Sequence, residues 1–231
     1  MPPTIVQIVS TCAIITTIGH MFTGIPVCLQ VKKQGNVGEI SGFPFIMGLL
    51  VASFWLRYGL LRADNSLVAV NSAGVLFQIF YNSFFLYYSK PKTPQAAKLC
   101  TVLLLIAIMI TCVHFFPNVT YFGMISTALT FVNFGAPLAG LGVVLKRKEV
   151  STLPFAMCIF TFLVTAQWTL YGLLSADYFI TTTSGVGMLI SLAQLSLFVI
   201  FPRRADEKSA LRRLANRFKR VKTSEKDAEV N

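Results

Sequence analysis

The chain has 231 residues, of which 55% are hydrophobic and only 13% are charged, and its formal net charge is +11. An ordinary soluble domain has about 25% charged residues, so this composition predicts an integral membrane protein and excludes a typical soluble one. The positive charge is interpreted as a signal for membrane topology, not for nucleic-acid binding, because the lysines and arginines are concentrated in the loops of one side.

Seven apolar segments are long enough to cross a bilayer, whose hydrocarbon core of about 30 Å requires about 20 helical residues. Strands of a membrane β-barrel would be about half as long and would alternate in hydrophobicity, so helices are predicted instead. In chain order the segments are residues 5–29, 43–61, 67–88, 99–116, 121–145, 153–174 and 178–201.

The distribution of basic residues predicts the side on which each loop lies. All of the 20 lysines and arginines except Arg57 and Arg62 lie in the loops after the first, third and fifth segments or in the C-terminal tail. Because positively charged loops stay in the cytoplasm, the N-terminus is predicted outside and the C-terminus in the cytosol. The plasma membrane is the expected location, with a Golgi or endosomal membrane as the alternative.

The chain contains one pattern twice, at an offset of 113 residues. Residues 55–59 read Trp-Leu-Arg-Tyr-Gly, residues 168–172 read Trp-Thr-Leu-Tyr-Gly, and the same offset relates Asp64 to Asp177. We call two residues related by this offset repeat mates. An internal repeat in a membrane protein predicts two similar helix bundles, and in transporters the solute site lies where such bundles meet.

Each repeat contains three segments, so one extra helix must lie between them if both repeats are to cross the membrane in the same direction. The fourth segment is apolar and has no mate, which suits that role. We therefore predict an all-α membrane protein with seven transmembrane helices, built as two parallel three-helix repeats joined by a linker helix (3+1+3). The predicted units are a first repeat at 5–88, a linker helix at 99–116, a second repeat at 121–201 and a basic cytosolic tail at 202–231.

Four prolines stand near the predicted cytosolic ends of helices, at Pro26, Pro44, Pro137 and Pro154. Proline removes a backbone donor and clashes with the preceding turn, so it kinks or ends a helix. Pro44 and Pro154 are compatible with simple helix starts. Pro26 and Pro137 each follow a glycine by two residues within a longer apolar run, so they predict matched hinges at one gate.

The two tryptophans, Trp55 and Trp168, are repeat mates. A rise of about 1.5 Å per residue from the nearest prolines places both in the outer half of the bilayer. There a tryptophan belongs either to an interfacial belt or to a central cavity, and the pairing favours the cavity. Asn71 and its mate Ser184 lie at a similar depth, where a polar side chain either bonds to another helix or binds solute. Together these residues predict a pocket for a small neutral polyol.

Carboxylates are missing from the segments, since Asp64 and Asp177 lie at the outer turns. Proton- and sodium-coupled carriers keep ionisable residues on the ion path, so a passive carrier of an uncharged solute is favoured. For His20, inside the first segment, a structural hydrogen bond is favoured over a proton relay. The sequence shows no phosphate loop, metal cluster or nucleophile–base pair, so no catalytic residue, metal, cofactor or enzymatic activity is predicted.

The repeated Trp-x-x-Tyr-Gly block, the four prolines and the 3+1+3 layout together resemble the SWEET family of sugar uniporters over residues 5–201. The resemblance implies a facilitative transmembrane sugar transporter that works by alternating access between two three-helix bundles. It also implies a homo-oligomer in a lipid bilayer, with a small neutral sugar as its substrate.

The resemblance assigns a role to each group of candidate residues. Asn71 and Trp168 would bind the sugar, with Trp55 and Ser184 at the symmetry-related positions. Tyr58 and Asp177 would form the extracellular gate. The four prolines would act as hinges near the intracellular gate.

Two positions depart from the usual pattern of the family. Ser184 stands where asparagine is usual, so it reaches less far and makes fewer hydrogen bonds. Trp55 stands where other members can have a small residue, so a narrower pocket and a monosaccharide such as glucose are expected. Two alternatives share the topology, a PQ-loop carrier and a seven-helix receptor. A PQ-loop carrier has a glutamine directly after its hinge prolines, which this chain lacks. A receptor is not expected to contain an internal repeat.

Overall fold

The computed structural model describes residues 3–151 and 153–203, and this part of the chain is helical apart from short connections. The predicted tail therefore lies outside the described residues from position 204 onward. The elements in order are α1 (Pro3–Met21), a 3₁₀ turn (Phe22–Gly24), α2 (Ile25–Gln34), α3 (Phe43–Leu61), α4 (Asn65–Tyr88), α5 (Thr93–Phe115), α6 (Val119–Asn133), α7 (Gly135–Arg147), α8 (Phe155–Leu174) and α9 (Tyr178–Ile200).

These elements make seven spans in the described chain that are long and apolar enough to cross a membrane, because α1–α2 and α6–α7 each form one span. The predicted fold class, an all-α protein with seven transmembrane helices, is confirmed. The first bundle contains α1–α2, α3 and α4, and the second contains α6–α7, α8 and α9. The linker helix α5 packs mainly against α3, and the two bundles meet along α1–α8 and α3–α6.

Several helices extend beyond the predicted segments, and local chemistry explains where they begin and end. The first span continues to Gln34 instead of residue 29, so Lys32 and Lys33 lie in its last turn, where the helix dipole favours cations. Gly35, with φ at 74°, then ends the helix in the left-handed conformation. Helix α5 begins at Thr93 instead of residue 99 because Pro94 suits a first helical turn.

The first and fifth spans are both broken two to four residues before a proline. Helix α1 passes through the 3₁₀ turn before Pro26, and α6 ends at Asn133 before Pro137. In each bundle the last helix bridges the break with a side-chain hydrogen bond. Tyr81 donates to the Met21 carbonyl at 2.6 Å, and its repeat mate Gln194 donates to the Pro137 carbonyl at 3.3 Å. Both bonds connect the last helix of a bundle to the backbone beside the break.

Pro44 and Pro154 lie at helix starts. Pro44 is in the first turn of α3, and Pro154 is the N-cap residue of α8. A proline in the first turn removes no intrahelical hydrogen bond, because that N–H has no partner in the helix. All four prolines nevertheless lie at one end of the bundles, which we call the proline end. The opposite end, which contains Asp64 and Asp177, we call the aspartate end.

Two glycines that are repeat mates let the helices of each bundle approach closely near the aspartate end. A Cβ atom on Gly59 would lie 2.8 Å from the Leu67 Cβ, and one on Gly172 would lie 2.7 Å from the Thr181 backbone nitrogen. No larger residue fits either position without moving α4 or α9. This close approach brings α4 and α9 alongside the tryptophans of α3 and α8.

Candidate functional site

A cavity of about 220 Å³ lies between the two bundles, and its lining follows the repeat. Twelve of the residues that line it form six pairs of repeat mates, and two more come from α8 alone. We call it the central cavity. The pairs are Thr17 and Thr130, Met21 and Phe134, Trp55 and Trp168, Leu67 and Ile180, Val70 and Thr183, and Asn71 and Ser184, and the unpaired residues are Val164 and Thr165.

Each tryptophan is tied to the opposite bundle by its indole nitrogen. Trp55 Nε1 donates to the Thr130 hydroxyl, and Trp168 Nε1 donates to the Thr17 hydroxyl, both at 2.9 Å. The rings are 9% and 7% exposed, so most of their surface packs against protein. With the N–H groups engaged, the rings offer the cavity apolar carbon surface, which matches the C–H faces of a sugar ring.

Asn71 and Ser184 provide polar groups on opposite walls of the central cavity. Asn71 lies on α4 and donates one N–H to the Leu67 carbonyl of its own helix at 2.9 Å, which leaves its side-chain oxygen facing no described donor. Ser184 lies on α9 and is partly buried, and its hydroxyl makes no hydrogen bond to the described residues. Both side chains therefore retain hydrogen-bonding capacity for a solute.

Two tyrosine–aspartate hydrogen bonds join the two bundles at the aspartate end. The Tyr58 hydroxyl donates to Asp177 Oδ2, and its mate Tyr171 donates to Asp64 Oδ2, both at 2.7 Å. Tyr58 is fully buried and Asp177 is 2% exposed. We call these two bonds and the residues that make them the aspartate-end seal.

The family model described as a sugar efflux transporter for intercellular exchange matches the chain twice, over residues 7–93 and 120–206. This chain belongs to the SWEET family of sugar transporters. The two matched stretches are offset by 113 residues, the same offset that defines the repeat mates. The family membership and the seven spans make it a multi-pass membrane protein.

SWEET proteins of animals are similar to this chain over most of their length. The sugar transporter SWEET1 of Caenorhabditis elegans is 49% identical over a region that includes 97% of this chain and 75% of the relative's length. The SWEET1 protein of Drosophila pseudoobscura pseudoobscura is 34% identical and covers 86% of this chain and 91% of its own. A solved structure of a eukaryotic SWEET transporter superposes with a TM-score of 0.78 at 29% identity, over 84% of this chain and 94% of that chain.

The aspartate-end seal of this SWEET protein is not symmetric. Arg62 Nε lies 2.8 Å from Asp177 Oδ2, and the guanidinium also donates to the Ser175 carbonyl across the bundle boundary at 3.5 Å. The repeat mate of Arg62 is Ser175, so Asp64 lacks the corresponding cation. Asp177 is therefore held to the opposite bundle by a tyrosine and an arginine, whereas Asp64 is held by Tyr171.

The two seams between the bundles also differ. Along α1–α8, Thr16 donates to the Gln167 side chain and His20 Nε2 lies 3.1 Å from the Thr161 hydroxyl. His20 thus makes a hydrogen-bond contact with the opposite bundle. The equivalent positions on α3–α6 are Leu129, Phe54, Asn133 and Gly48. The α1–α8 seam is consequently the more polar of the two.

The structure brings the predicted site residues together in two groups. Asn71, Ser184 and the two tryptophans line the central cavity, and Tyr58 bonds to Asp177 at the aspartate end. The four prolines lie at the other end and do not line this cavity. No group of three histidine, cysteine, aspartate or glutamate side chains that could hold a metal occurs within residues 3–151 and 153–203.

The partners of the predicted residues were not predicted from the sequence, although the repeat offset could have found some of them. Thr17 and Thr130 are repeat mates that hold the tryptophans, and Tyr171 and Asp64 are the mates of the predicted gate pair. In each case, two polar residues related by the 113-residue offset could have been recognised as equivalent partners in the two bundles. Arg62 has a serine as its mate, so the offset could not have identified it.

Proposed function

We propose that this SWEET protein is a facilitative (uniport) transporter of glucose or a related monosaccharide. The observation that carries the proposal is the central cavity, which lies on the pseudo-symmetry axis between the bundles and presents two tryptophans, Asn71 and Ser184. Flat apolar rings suit the C–H faces of a sugar, and neutral polar groups suit its hydroxyls. The SWEET1 relatives are named sugar transporters, which supports the same substrate class.

The proposed mechanism is alternating access between the two bundles. We propose that in this conformation the aspartate-end seal separates the central cavity from that side of the membrane. Opening the seal breaks two tyrosine–aspartate hydrogen bonds and the Arg62–Asp177 ion pair. Each hydrogen bond in a membrane protein contributes about 0.6 kcal/mol on average, so the seal is weak enough to open reversibly.

The breaks before Pro26 and Pro137 provide the complementary movement at the proline end. Because a broken helix lacks part of its backbone hydrogen bonding, α2 and α7 can change angle relative to α1 and α6 at low cost. Pro44 and Pro154 fix the starts of α3 and α8 at the same level of the bundles. We propose that the four prolines together form the hinge region of an intracellular gate, and that Tyr58 and Asp177 belong to the extracellular gate.

The composition of the central cavity supports passive transport. Among the described residues that line it, none carries a charge, and the aspartates of the seal are each held by a tyrosine from the opposite bundle. Ionisable groups that face the solute path are typical of ion-coupled carriers. The driving force is therefore proposed to be the sugar gradient alone.

The size of the cavity supports a monosaccharide over a disaccharide. Its volume of about 220 Å³ lies below the range of about 300–1,000 Å³ that is usual for pockets of drug-sized ligands. Trp55 and Trp168 bound it from both bundles, and both are fixed by hydrogen bonds, so neither ring can move aside freely. A single sugar ring fits such a space, whereas a second ring requires the tryptophans to separate.

We further propose a plasma-membrane location with the aspartate end outside, because the basic loops lie at the proline end. The alternative is a Golgi or endosomal membrane with the aspartate end in the lumen. We also propose a homo-oligomer, as the family resemblance implies. Labelling of Asn118→Cys, at an exposed turn of the aspartate end, by an impermeant maleimide in intact cells tests the orientation.

Uptake of labelled glucose into proteoliposomes, with and without an imposed pH gradient, tests the proposed function. We expect saturable uptake that does not respond to the gradient. Trp168→Ala and Asn71→Ala should abolish it, while Leu170→Ala, two residues from Trp168 on an exposed face of α8, should not. Surface expression of each variant, measured in parallel, separates loss of transport from loss of protein.

Three outcomes contradict parts of this proposal. Uptake that a pH gradient drives above equilibrium contradicts uniport and directs attention to His20. A sucrose flux greater than the glucose flux in the same vesicles contradicts the monosaccharide assignment. Retained glucose flux in Trp168→Ala or Asn71→Ala contradicts the assignment of the central cavity as the sugar site.

A further inference from the structure

The threonine hydroxyl protons around the central cavity are already donated to backbone carbonyls of the protein. Thr17 and Thr130 donate to the Ala13 and Ser126 carbonyls of their own helices, at 2.6 and 2.8 Å, while each accepts from a tryptophan. A threonine that bonds back to its helix keeps only lone pairs for other partners. These two side chains therefore present no free donor to a solute.

Thr165 and Thr183 show the same arrangement on the wall formed by the second bundle. The Thr165 hydroxyl donates to the Thr161 carbonyl at 2.8 Å, and the Thr183 hydroxyl donates to the Phe179 carbonyl at 2.7 Å. Both residues line the central cavity, and neither accepts a hydrogen bond from a described residue. Each threonine oxygen is therefore an unoccupied acceptor.

Few donors remain for the solute. Both indole N–H groups are engaged, and Asn71 uses one N–H on the Leu67 carbonyl, so the free donors are the second N–H of Asn71 and the Ser184 hydroxyl. The free acceptors include the Asn71 side-chain oxygen and the oxygens of Thr165, Thr183 and Ser184. Acceptors are thus in excess around the central cavity.

The acceptors are also distributed unequally between the bundles. The repeat mate of Thr183 is Val70, which lines the opposite wall of the cavity without a hydroxyl, and the mate of Thr165 is Ala52. The second bundle therefore has two acceptor oxygens that the first bundle lacks. This difference breaks the pseudo-symmetry of an otherwise paired site.

From these observations, and resting on the proposed function, we infer that the sugar binds chiefly through its own hydroxyl protons. We also infer that Thr165 and Thr183 determine its orientation by accepting two of those protons on the α8–α9 wall. A solute that presents many O–H donors satisfies such a site. An anion or an acceptor-rich solute leaves its oxygens facing lone pairs, which costs the desolvation of both groups.

Deoxy and deoxyfluoro analogues of glucose test the inference, because fluorine occupies the place of a hydroxyl but donates no proton. The measurement is competition by each analogue against labelled glucose. Where a sugar hydroxyl faces Thr165 or Thr183, replacing it by fluorine should weaken binding as much as replacing it by hydrogen. The expected loss of affinity is about tenfold, which is the effect of one well-placed hydrogen bond. Fluoro analogues that compete as well as glucose at every position would overturn the inference.

Isosteric variants connect the effect to the two threonines. Each of the variants Thr183→Val and Thr165→Val should no longer discriminate between hydroxyl and fluorine at one position of the sugar. The double variant Thr183→Val with Val70→Thr moves the acceptor to the other bundle and should restore glucose affinity with a changed pattern of analogue preference. Thr169→Val is the matched control, since its hydroxyl also bonds back along α8 but does not line the cavity.

The outcomes separate this inference from the proposed function. Glucose uptake with the same analogue pattern in the wild type, Thr165→Val and Thr183→Val overturns the inference alone. Absence of hexose uptake by the well-folded wild type overturns the proposed function and the inference with it. Loss of discrimination in Thr183→Val but not in Thr169→Val supports the inference.

Discussion

The Tyr58 hydroxyl on α3 lies 2.7 Å from Oδ2 of Asp177, the residue that caps α9 in the opposite bundle. The other carboxylate oxygen of Asp177 accepts from the backbone N–H groups of Phe179 and Ile180, at 3.0 and 3.1 Å. The Asp177 side chain thus caps the start of α9 and also forms a contact between the bundles. When the tyrosine leaves, the cap remains, so the seal can open without loss of helical structure.

Removing the tyrosine hydroxyls should favour the conformation that is open at the aspartate end. Tyr58→Phe or Tyr171→Phe deletes a hydrogen bond between bundles but leaves the aspartate cap intact. With about 0.6 kcal/mol per bond, each change should raise the open population about threefold. The measurement is the labelling rate of Ser184→Cys by an impermeant reagent from the aspartate side, in a background without the five native cysteines.

The double variant provides the control for that measurement. If the two bonds act independently, Tyr58→Phe with Tyr171→Phe should raise the labelling rate by about the product of the single effects. Equal labelling in the wild type and the double variant would contradict the role of these tyrosines in the seal.

Arg62→Ser should remove the asymmetry of the seal, because serine is the residue at the mate position. The guanidinium is about one-third exposed, so the ion pair with Asp177 is partly screened and a modest effect of about twofold to fivefold on labelling is expected. Raising the salt concentration should increase labelling of the wild type but not of Arg62→Ser. Arg62→Lys, which keeps the charge, should retain the salt response, and a salt response in Arg62→Ser would argue against the ion pair.

Thr17→Val should weaken glucose uptake by freeing the ring of Trp168. The variant keeps the shape of the side chain but leaves the indole N–H without its partner, which costs about 1–3 kcal/mol for a buried donor. The emission spectrum of Trp168 in a Trp55→Phe background reports the change directly, and the apparent affinity for glucose reports its consequence. Thr17→Ser keeps the hydroxyl and should behave as the wild type; an unaltered spectrum in Thr17→Val would show that the bond does not hold the ring.

Gly59→Ala and Gly172→Ala should destabilise the protein through steric overlap. The added methyl groups would lie 2.8 Å from the Leu67 Cβ and 2.7 Å from the Thr181 backbone nitrogen, so a helix must move. Overpacking of this kind costs about 1–3 kcal/mol. Thermal unfolding in detergent should show lower midpoints for both variants. Gly142→Ala, where a Cβ meets nothing within 4 Å, should match or exceed the wild type.

The four prolines should differ in their effects when replaced by alanine. Pro26→Ala and Pro137→Ala restore a backbone donor at the helix breaks, so the breaks can close and glucose flux should fall by about tenfold or more. Pro44→Ala and Pro154→Ala alter helix starts, where no intrahelical bond is missing, so a smaller loss is expected. Flux normalised to surface expression is the measurement, and equal losses at all four positions would contradict a special role for the two breaks.

Most of the architecture follows from patterns that are local in the chain. Seven apolar segments, the 113-residue offset and the unpaired fourth segment were sufficient to predict a 3+1+3 membrane protein, because a bilayer permits few ways to satisfy the backbone. The offset also matched Trp55 with Trp168 and Asn71 with Ser184. Helix ends were less predictable, because they depend on polar capping residues such as Asp64, which a hydrophobicity pattern does not detect.

The contacts between the bundles depended on the tertiary structure. A repeat shows which residues are equivalent, but it does not show which residue of one bundle meets which residue of the other. Tyr58 therefore could not be matched to Asp177 on spacing alone, and the threonine partners of the tryptophans were not predicted. The packing of α1 against α8 and of α3 against α6 brings these side chains together, and its contacts join residues that are far apart in the sequence, such as Trp55 and Thr130, which are 75 residues apart.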